Sequence, residues 1–346
     1  MQKAKSTFNA SELGYQPYSL AATLFCCASC QETLKASANG LQCRSCSEYW
    51  PVKDGIPHFG GKDHRPSVLT DAQRRKVVDA AVDEGWEIAI HDVLRSIDRV
   101  AYRQAIDEYR AQWRFILPLS SSDYVLDLNC AWGAVTFNLS EICALVVAAD
   151  PCSEYVRFVA QRARQKGQNN IVPLQLGLDQ SLPFLPRRFD TVVMVDSLSW
   201  FPDIETQRLI LNRIHNVIKT GGCLFLADTN RLSCVSLLAR ASAGTPHTLH
   251  GYQRLLRSVG FRRLREYVLA PSHMEPFFIL PLDTSRPLEF FLREIIARQD
   301  FGMHFRSGPQ KLAFRMARAV TQRGPTRLLA RLARPFIPSF AIVAQA

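Results

Sequence analysis

The stretch "VLDLNCAWG", Val125 to Gly133, decides how the rest of the chain reads. Val125, Leu126 and Leu128 make a short apolar run suited to a buried strand. The residues after it form a turn of the kind that holds a nucleotide-type cofactor, with Asn129, Ala131 and Gly133 at alternate positions. Glycines serve such turns because they reach positive φ and let the backbone approach a ligand closely. Only Gly133 is a glycine here. Asn129 is the best non-glycine substitute in the left-handed region, whereas holding Ala131 there costs about 1–2 kcal/mol. A cost of about 2 kcal/mol weakens binding by less than about a hundredfold. The turn is therefore expected to hold its ligand still, with Gly133 letting the next helix pack close.

Outward from this turn, apolar strands alternate with helical patterns. "YVLDL" is followed by a helix from about residue 135, "LVVAAD" by one over 154–165, and "IVPLQLG" by a loop. "FDTVVMVD" precedes a helix over 204–218, and "GGCLFLAD" follows it. Buried strands alternating with amphipathic helices predict an α/β fold, a parallel sheet covered on both faces. Ligands in such sheets bind beyond the carboxyl ends of the strands.

Over roughly residues 122–267 the chain resembles the class I S-adenosylmethionine-dependent methyltransferases, of the type-11-like kind. "VLDLNCAWG" matches their first motif, "VLDLGCGxG", except at Asn129 and Ala131, and Asp150 in "VVAADPCSEYVRFV" matches the acidic residue that ends the second strand. "SLPFLPRRFDTVVMVDSLSWF" and "VIKTGGCLFLAD" supply two further blocks in the right order. The resemblance implies a Rossmann-like sheet and S-adenosylmethionine as cofactor. Asp150 would accept from the ribose hydroxyls, and Asp127 would order the turn or meet the cofactor ammonium. The adenine-contacting Asp is shifted by one place, to Asp179 behind Leu178. Asp196, Ser197 and Trp200 after the fourth strand would face the acceptor, and Asp196 is also expected to touch the cofactor. His247 and His250 in "SAGTPHTLHGY" are the candidate bases. Methyl transfer needs alignment above all, and a base only where the acceptor must lose a proton.

Ten cysteines are unevenly placed, five of them between Cys26 and Cys46. Cys27/Cys30 and Cys43/Cys46 form two C-x-x-C knuckles around an Asn39-Gly40 turn. Together they can build the closed four-sulfur tetrahedron of a structural zinc, which leaves no open position for catalysis. Cys26 lacks the knuckle spacing. The following "YWPVKDGIPHF" is similar to the end of the zinc-ribbon activator subunits of tRNA and protein methyltransferases.

These readings divide the chain into a zinc-ribbon module (1–60), a linker and helical cap (61–121), the methyltransferase core (122–270), and a helical basic insertion with a terminal strand (271–346). Residues 84–117 have helical spacing and carry Trp86, Tyr102, Tyr109 and Trp113, an aromatic stripe read as core or as a cap over the acceptor pocket. "PSFAIVAQ" is expected to rejoin the sheet edge as the seventh strand, leaving 271–335 as an insertion and lid.

The formal net charge of +11 sits mainly in the tail, where residues 301–346 carry eight Arg or Lys and no acidic residue. Arg327, Arg331 and Arg334 line one helical face and Leu328, Leu329 and Leu332 another. That face suits an anionic membrane surface, a phosphorylated or lipid-linked acceptor, or RNA, or else simply places leucines in the core and arginines in water. From residue 24 to residue 59 the ribbon itself carries only Lys35, Arg44 and Lys53 as cations, which disfavours nucleic acid as a partner. No apolar run suggests a membrane span or a signal-peptide core, so a cytoplasmic location is expected. The leading expectation is a methyltransferase acting on a small-molecule, glycan or lipid-linked acceptor. An RNA methyltransferase and a non-catalytic protein with a decayed cofactor site are the alternatives.

Overall fold

The computed structural model describes residues 24–37, 40–65, 69–233, 245–296 and 326–346, with a few positions between 312 and 322. Asn39 of the expected ribbon turn and the first residues of the 242–252 loop lie outside them. The chain divides into two compact units: residues 1–193, 209–223 and 346, and residues 194–208 and 224–345.

The first unit begins with a four-stranded antiparallel ribbon, β1 (Leu34–Ser37), β2 (Gly40–Cys43), β3 (Tyr49–Lys53) and β4 (Ile56–Pro57), paired in that order. Besides Cys43, its buried apolar side chains include Leu34, Leu41, Trp50, Ile56 and Phe59. So few residues make a very small core, and the ribbon also leans on the larger domain. Phe25 stacks on Phe59 and on Phe184, and Leu24 O and Pro183 O accept backbone bonds across the junction.

Helix α1 (Asp71–Asp83) starts in a capping box between Thr70 and Gln73. Its Val77, Val78 and Ala81 pack with Ile90, Leu94 and Trp132. The expected helical run over 84–117 is broken into pieces: a π-helical stretch at Ala89–Leu94, α2 (Arg99–Ile106) and a 3-10 stretch at Glu108–Ile116. Asp98 and Asp107 account for the breaks, because each turns its carboxylate onto the next backbone N–H groups and restarts the helix. Trp113 is fully buried, Trp86 and Tyr102 pack against the α1 core, and Tyr109 is 47% exposed.

The main sheet continues this unit with β5 (Tyr124–Leu128), α3 (Ala134–Ser140), β6 (Leu145–Asp150), α4 (Ser153–Lys166), β7 (Ile171–Gln175), β8 (Phe189–Val195), α5 (Ile204–Val217) and β9 (Ile218–Thr229). The order here is β9-β8-β5-β6-β7. β5, β6 and β7 are parallel, with Leu126 opposite Val147 and Val147 opposite Val172. Every residue of β6 is buried, as expected of a strand covered on both faces.

The second unit takes the ends of β8 and β9 and adds α6 (Leu249–Ser258), β10 (Arg262–Ser272), β11 (Glu275–Pro281), α7 (Arg286–Phe290), α8 (Thr326–Ala333) and β12 (Ser339–Gln345). Its order is β11-β10-β12-β9-β8, and β10 runs antiparallel to both neighbours. The terminal strand rejoins the sheet, but between β9 and β10 and not at the expected edge, which β11 occupies. The segment before it opens with an unanticipated strand instead of a helix: "EPFFILP" forms β11 at the sheet edge, where prolines are tolerated because an edge needs fewer N–H donors. In α8, Leu328 and Leu332 are more than half exposed, so these two leucines are not core residues. Arg334 beyond it pairs with Glu266. Among the described residues no helix is long and apolar enough to cross a membrane.

Candidate functional site

The four sulfurs of Cys27, Cys30, Cys43 and Cys46 all lie within 4.8 Å of one another. Neighbouring pairs are 3.4–3.6 Å apart. Each knuckle turns its backbone toward the leading sulfur: Ser29 N and Cys30 N donate to Cys27 Sγ, and Ser45 N and Cys46 N donate to Cys43 Sγ. Donors of this sort stabilise thiolates, and four converging thiolates need a cation. The cluster thus fits a tetrahedral structural zinc, held by these four side chains. Cys26 is buried outside the cluster, and burial pushes its thiol up to about 12, the behaviour of a small core residue.

At the end of β5 the altered turn keeps the shape that glycines would give it. Asn129, Ala131 and Gly133 have φ of +61°, +47° and +82°. A Cβ on Gly133 would lie 2.9 Å from Val159 of α4, so this glycine is required by packing as well as by φ. Trp132 anchors the turn from the other side, buried edge-on against Tyr155 and Phe158. Asp127 is buried beneath it and accepts from Thr136 Oγ1 at 2.6 Å. Burial raises its carboxyl to about 7 against that bond.

Asp150, at the end of β6, is fully buried and turned toward the turn: Ala131 N donates to its Oδ2 at 2.9 Å and Cys152 N to its Oδ1 at 2.9 Å. Its remaining valences are filled by a residue absent from the expected site. Arg65 approaches as a fork, Nη1 to Oδ2 at 2.8 Å and Nη2 to Oδ1 at 2.5 Å. Asp63 holds the same guanidinium through Nε and Nη2, and the ring of Tyr155 lies 4.8 Å beneath it. Burial alone would lower the Arg65 pKa, but the charges of Asp150 and Asp63 outweigh it and keep the group firmly protonated. The shape of the backbone turn fits an adenosyl cofactor, whereas the carboxylate expected to meet the ribose is already engaged by Arg65. Asp179 lies in the same unit and accepts from Lys62 N at 3.0 Å, while Leu178 is buried.

The acceptor-side candidates lie in the second unit. Asp196 follows β8 with φ of +50°, and its Oδ1 is 3.1 Å from His273 Nε2. Asp228 near the end of β9 accepts from Ser199 N and Thr229 N; burial and then the charge of Asp196 raise it to about 6. Ser197 Oγ is buried and has no hydrogen-bond partner among the described residues. His247 meets Gln207 at 2.6 Å and packs edge-on against Tyr252, and His250 lies exposed on α6 beside Gln253 and Arg254. Neither expected histidine is the one paired with Asp196. Sequence reasoning missed His273, whose one signal is "SHME" between two prolines, and Arg65, which carried none.

Residues 125–222 match the model of a methyltransferase domain family. The ubiquinone biosynthesis O-methyltransferase of Rhizobium etli is 25% identical over 138 residues, 38% of this chain and 54% of that protein. The chain thus spans about half the length of the curated relatives it matches. Among solved structures, a methyltransferase from Archaeoglobus fulgidus is similar at 15% identity and a TM-score of 0.44, covering 68% of this chain and 92% of that one. A chain from the Haloferax volcanii complex of the Trm112 methyltransferase activator with a methyltransferase is similar at 17% identity and a TM-score of 0.45, covering 80% and 99%. The core has the Rossmann-like fold of class I S-adenosylmethionine-dependent methyltransferases, which together with the family match supports that molecule as the cofactor.

Proposed function

We propose that the protein is an S-adenosylmethionine-dependent methyltransferase acting on a hydroxyl or amine of a small-molecule, glycan or lipid-linked acceptor, with the ribbon as a structural zinc module akin to the activator proteins. One observation carries this reading. Asn129 and Ala131 hold the left-handed conformations of a glycine-rich cofactor turn although neither is glycine, so the backbone shape suited to an adenosyl group is present. The cofactor, when bound, supplies an electrophilic methyl group. Asn129 to Gly133 and Asp150 would hold its adenosyl part, and Asp127 would meet its ammonium. Asp179 is the proposed adenine partner.

On the acceptor side, His273 takes over from His247 and His250 as the proposed base. Asp196 would orient its imidazole and stabilise the imidazolium formed when the acceptor proton arrives. Ser197, with its unused buried hydroxyl, is the proposed hydrogen-bond partner of the incoming group. Isothermal titration with S-adenosylmethionine and S-adenosylhomocysteine tests the cofactor, and labelled cofactor offered with small-molecule, glycan and lipid pools tests the acceptor. His273→Asn should lower turnover while leaving cofactor affinity intact. A wild-type protein that gives no heat at millimolar ligand removes the catalytic reading. The competing non-catalytic reading draws its support from Arg65, whose guanidinium fills the carboxylate on which ribose binding depends.

A further inference from the structure

The segment between ribbon and core is laid over the cofactor side of the first unit by a chain of specific bonds. Phe59 N donates to Gln175 O, Gly60 N to Gln175 Oε1, Gly177 N to Gly60 O and Lys62 N to Asp179 Oδ1, before Arg65 reaches Asp150. The crossing is close, since a Cβ on Gly61 would sit 2.4 Å from Gly177 Cα. Asp150 and Asp179, two of the residues assigned to the adenosyl group, are thus both occupied by one continuous stretch of chain.

A carboxylate offers about four lone-pair positions. Those of Asp150 are taken by Ala131 N, Cys152 N and the two guanidinium nitrogens, so the twin hydroxyls of a ribose and the twin N–H groups of Arg65 are alternatives. We propose that Gly60–Arg65 is an internal latch on the cofactor site, with Arg65 substituting for the ribose on Asp150 until an adenosyl ligand displaces it.

Three features equip the segment to leave. Arg65 and Asp63 are bonded to each other, so the guanidinium keeps a counter-charge when it moves away. Gly60 and Gly61 provide backbone freedom at the inner end. A groove of about 680 Å³, lined by His58, Gly60, Pro151 and Gln175 among others, leaves space beside the segment. The latch makes cofactor affinity depend on the stability of the closed segment, because a ligand that needs the open state binds more weakly by the fraction of molecules that are open.

This inference rests on the reading that the site takes S-adenosylmethionine, and the test separates the two. Isothermal titration of the full chain with S-adenosylhomocysteine should give an affinity about tenfold or more higher for Arg65→Gln than for wild type. Arg65→Lys, which keeps the charge and loses the fork, should fall between them. In the wild-type protein, ligand should speed amide hydrogen exchange at Gly60 and Lys62, whose acceptors lie under the latch. This last measurement serves also if the glutamine variant fails to fold. Absence of binding in all three proteins overturns the cofactor reading and the latch together. Wild-type binding as tight as or tighter than that of Arg65→Gln, or slower exchange at Gly60 and Lys62 on binding, overturns the latch and leaves the cofactor reading intact.

Discussion

The four-cysteine cluster and the Asp150 turn are both built by the first unit, yet they are completed in opposite ways. In the cluster, like-charged ligands converge and need an external cation to be stable together. At Asp150 the chain supplies the counter-charge itself, from a residue 85 positions away. The first site is incomplete without its ligand, while the second is complete and must be opened. Under the proposed latch, the second site would hold its ligand-binding residues ready and still be governed by the arginine that sits on them.

Metal removal is expected to have the largest effect on this comparison. Zinc binding to such sites contributes on the order of 10 kcal/mol to folding. Chelation, or Cys43→Ser with Cys46→Ser, should abolish amide protection across β1 to β4 while β5 to β7 keep theirs. A ribbon that stays protected without metal would erase the contrast. Next comes the ion pair. In the absence of ligand, Arg65→Ala should lower stability by about 3–5 kcal/mol in urea titrations by stranding a buried carboxylate, and a further Asp150→Asn change should recover much of the loss. An additive double mutant would mean that the pair is not coupled.

Asp127 offers a smaller, pH-dependent effect. Its folded carboxyl is raised to about 7 from an ordinary value of 3.8, so its burial is unpenalised below about pH 4 and becomes destabilising as pH rises through 7. Asp127→Asn should therefore gain stability over wild type progressively from pH 4 to 7, by up to about 4 kcal/mol, and level off above that. A gain that is flat with pH would show that the carboxyl titrates normally. The smallest effect belongs to Ala131→Gly, which removes a strained left-handed alanine. Thermal unfolding should show a gain of about 1 kcal/mol, and a loss would mean that the methyl packs productively.

Strands β5 to β9 were readable from the sequence because each carries a continuous apolar run, and the neighbouring pairs β5–β6, β6–β7 and β8–β9 are each joined by a single α-helix. The cysteine set was readable because its spacing closes the site within twenty residues. β12 could be anticipated from "PSFAIVAQ", whose apolar run has no other role. The pieces of the 84–117 helix were harder, since two aspartates override a helical periodicity that is otherwise intact. β11 was hidden by its prolines, which read as breaks and prove to be edge positions. Arg65 was the least legible: it lies in a polar stretch that resembles a spacer, and nothing local marks an arginine whose partner is formed by a distant strand end. His273 was missed for a related reason, because its tie to Asp196 exists only once β10 is in place.

The crossing of Gly61 over Gly177 gives this molecule a built-in adjustment screw. A methyl group at residue 177 would press within 2.7 Å of Gly61 Cα and 2.6 Å of Asp179 Oδ1. Gly177→Ala would therefore act as a wedge beneath the connecting segment, prising it up without altering a single charge. The responsiveness of the whole protein to its nucleoside ligand is thereby tunable through two missing side chains, at a point where neither residue needs to touch that ligand.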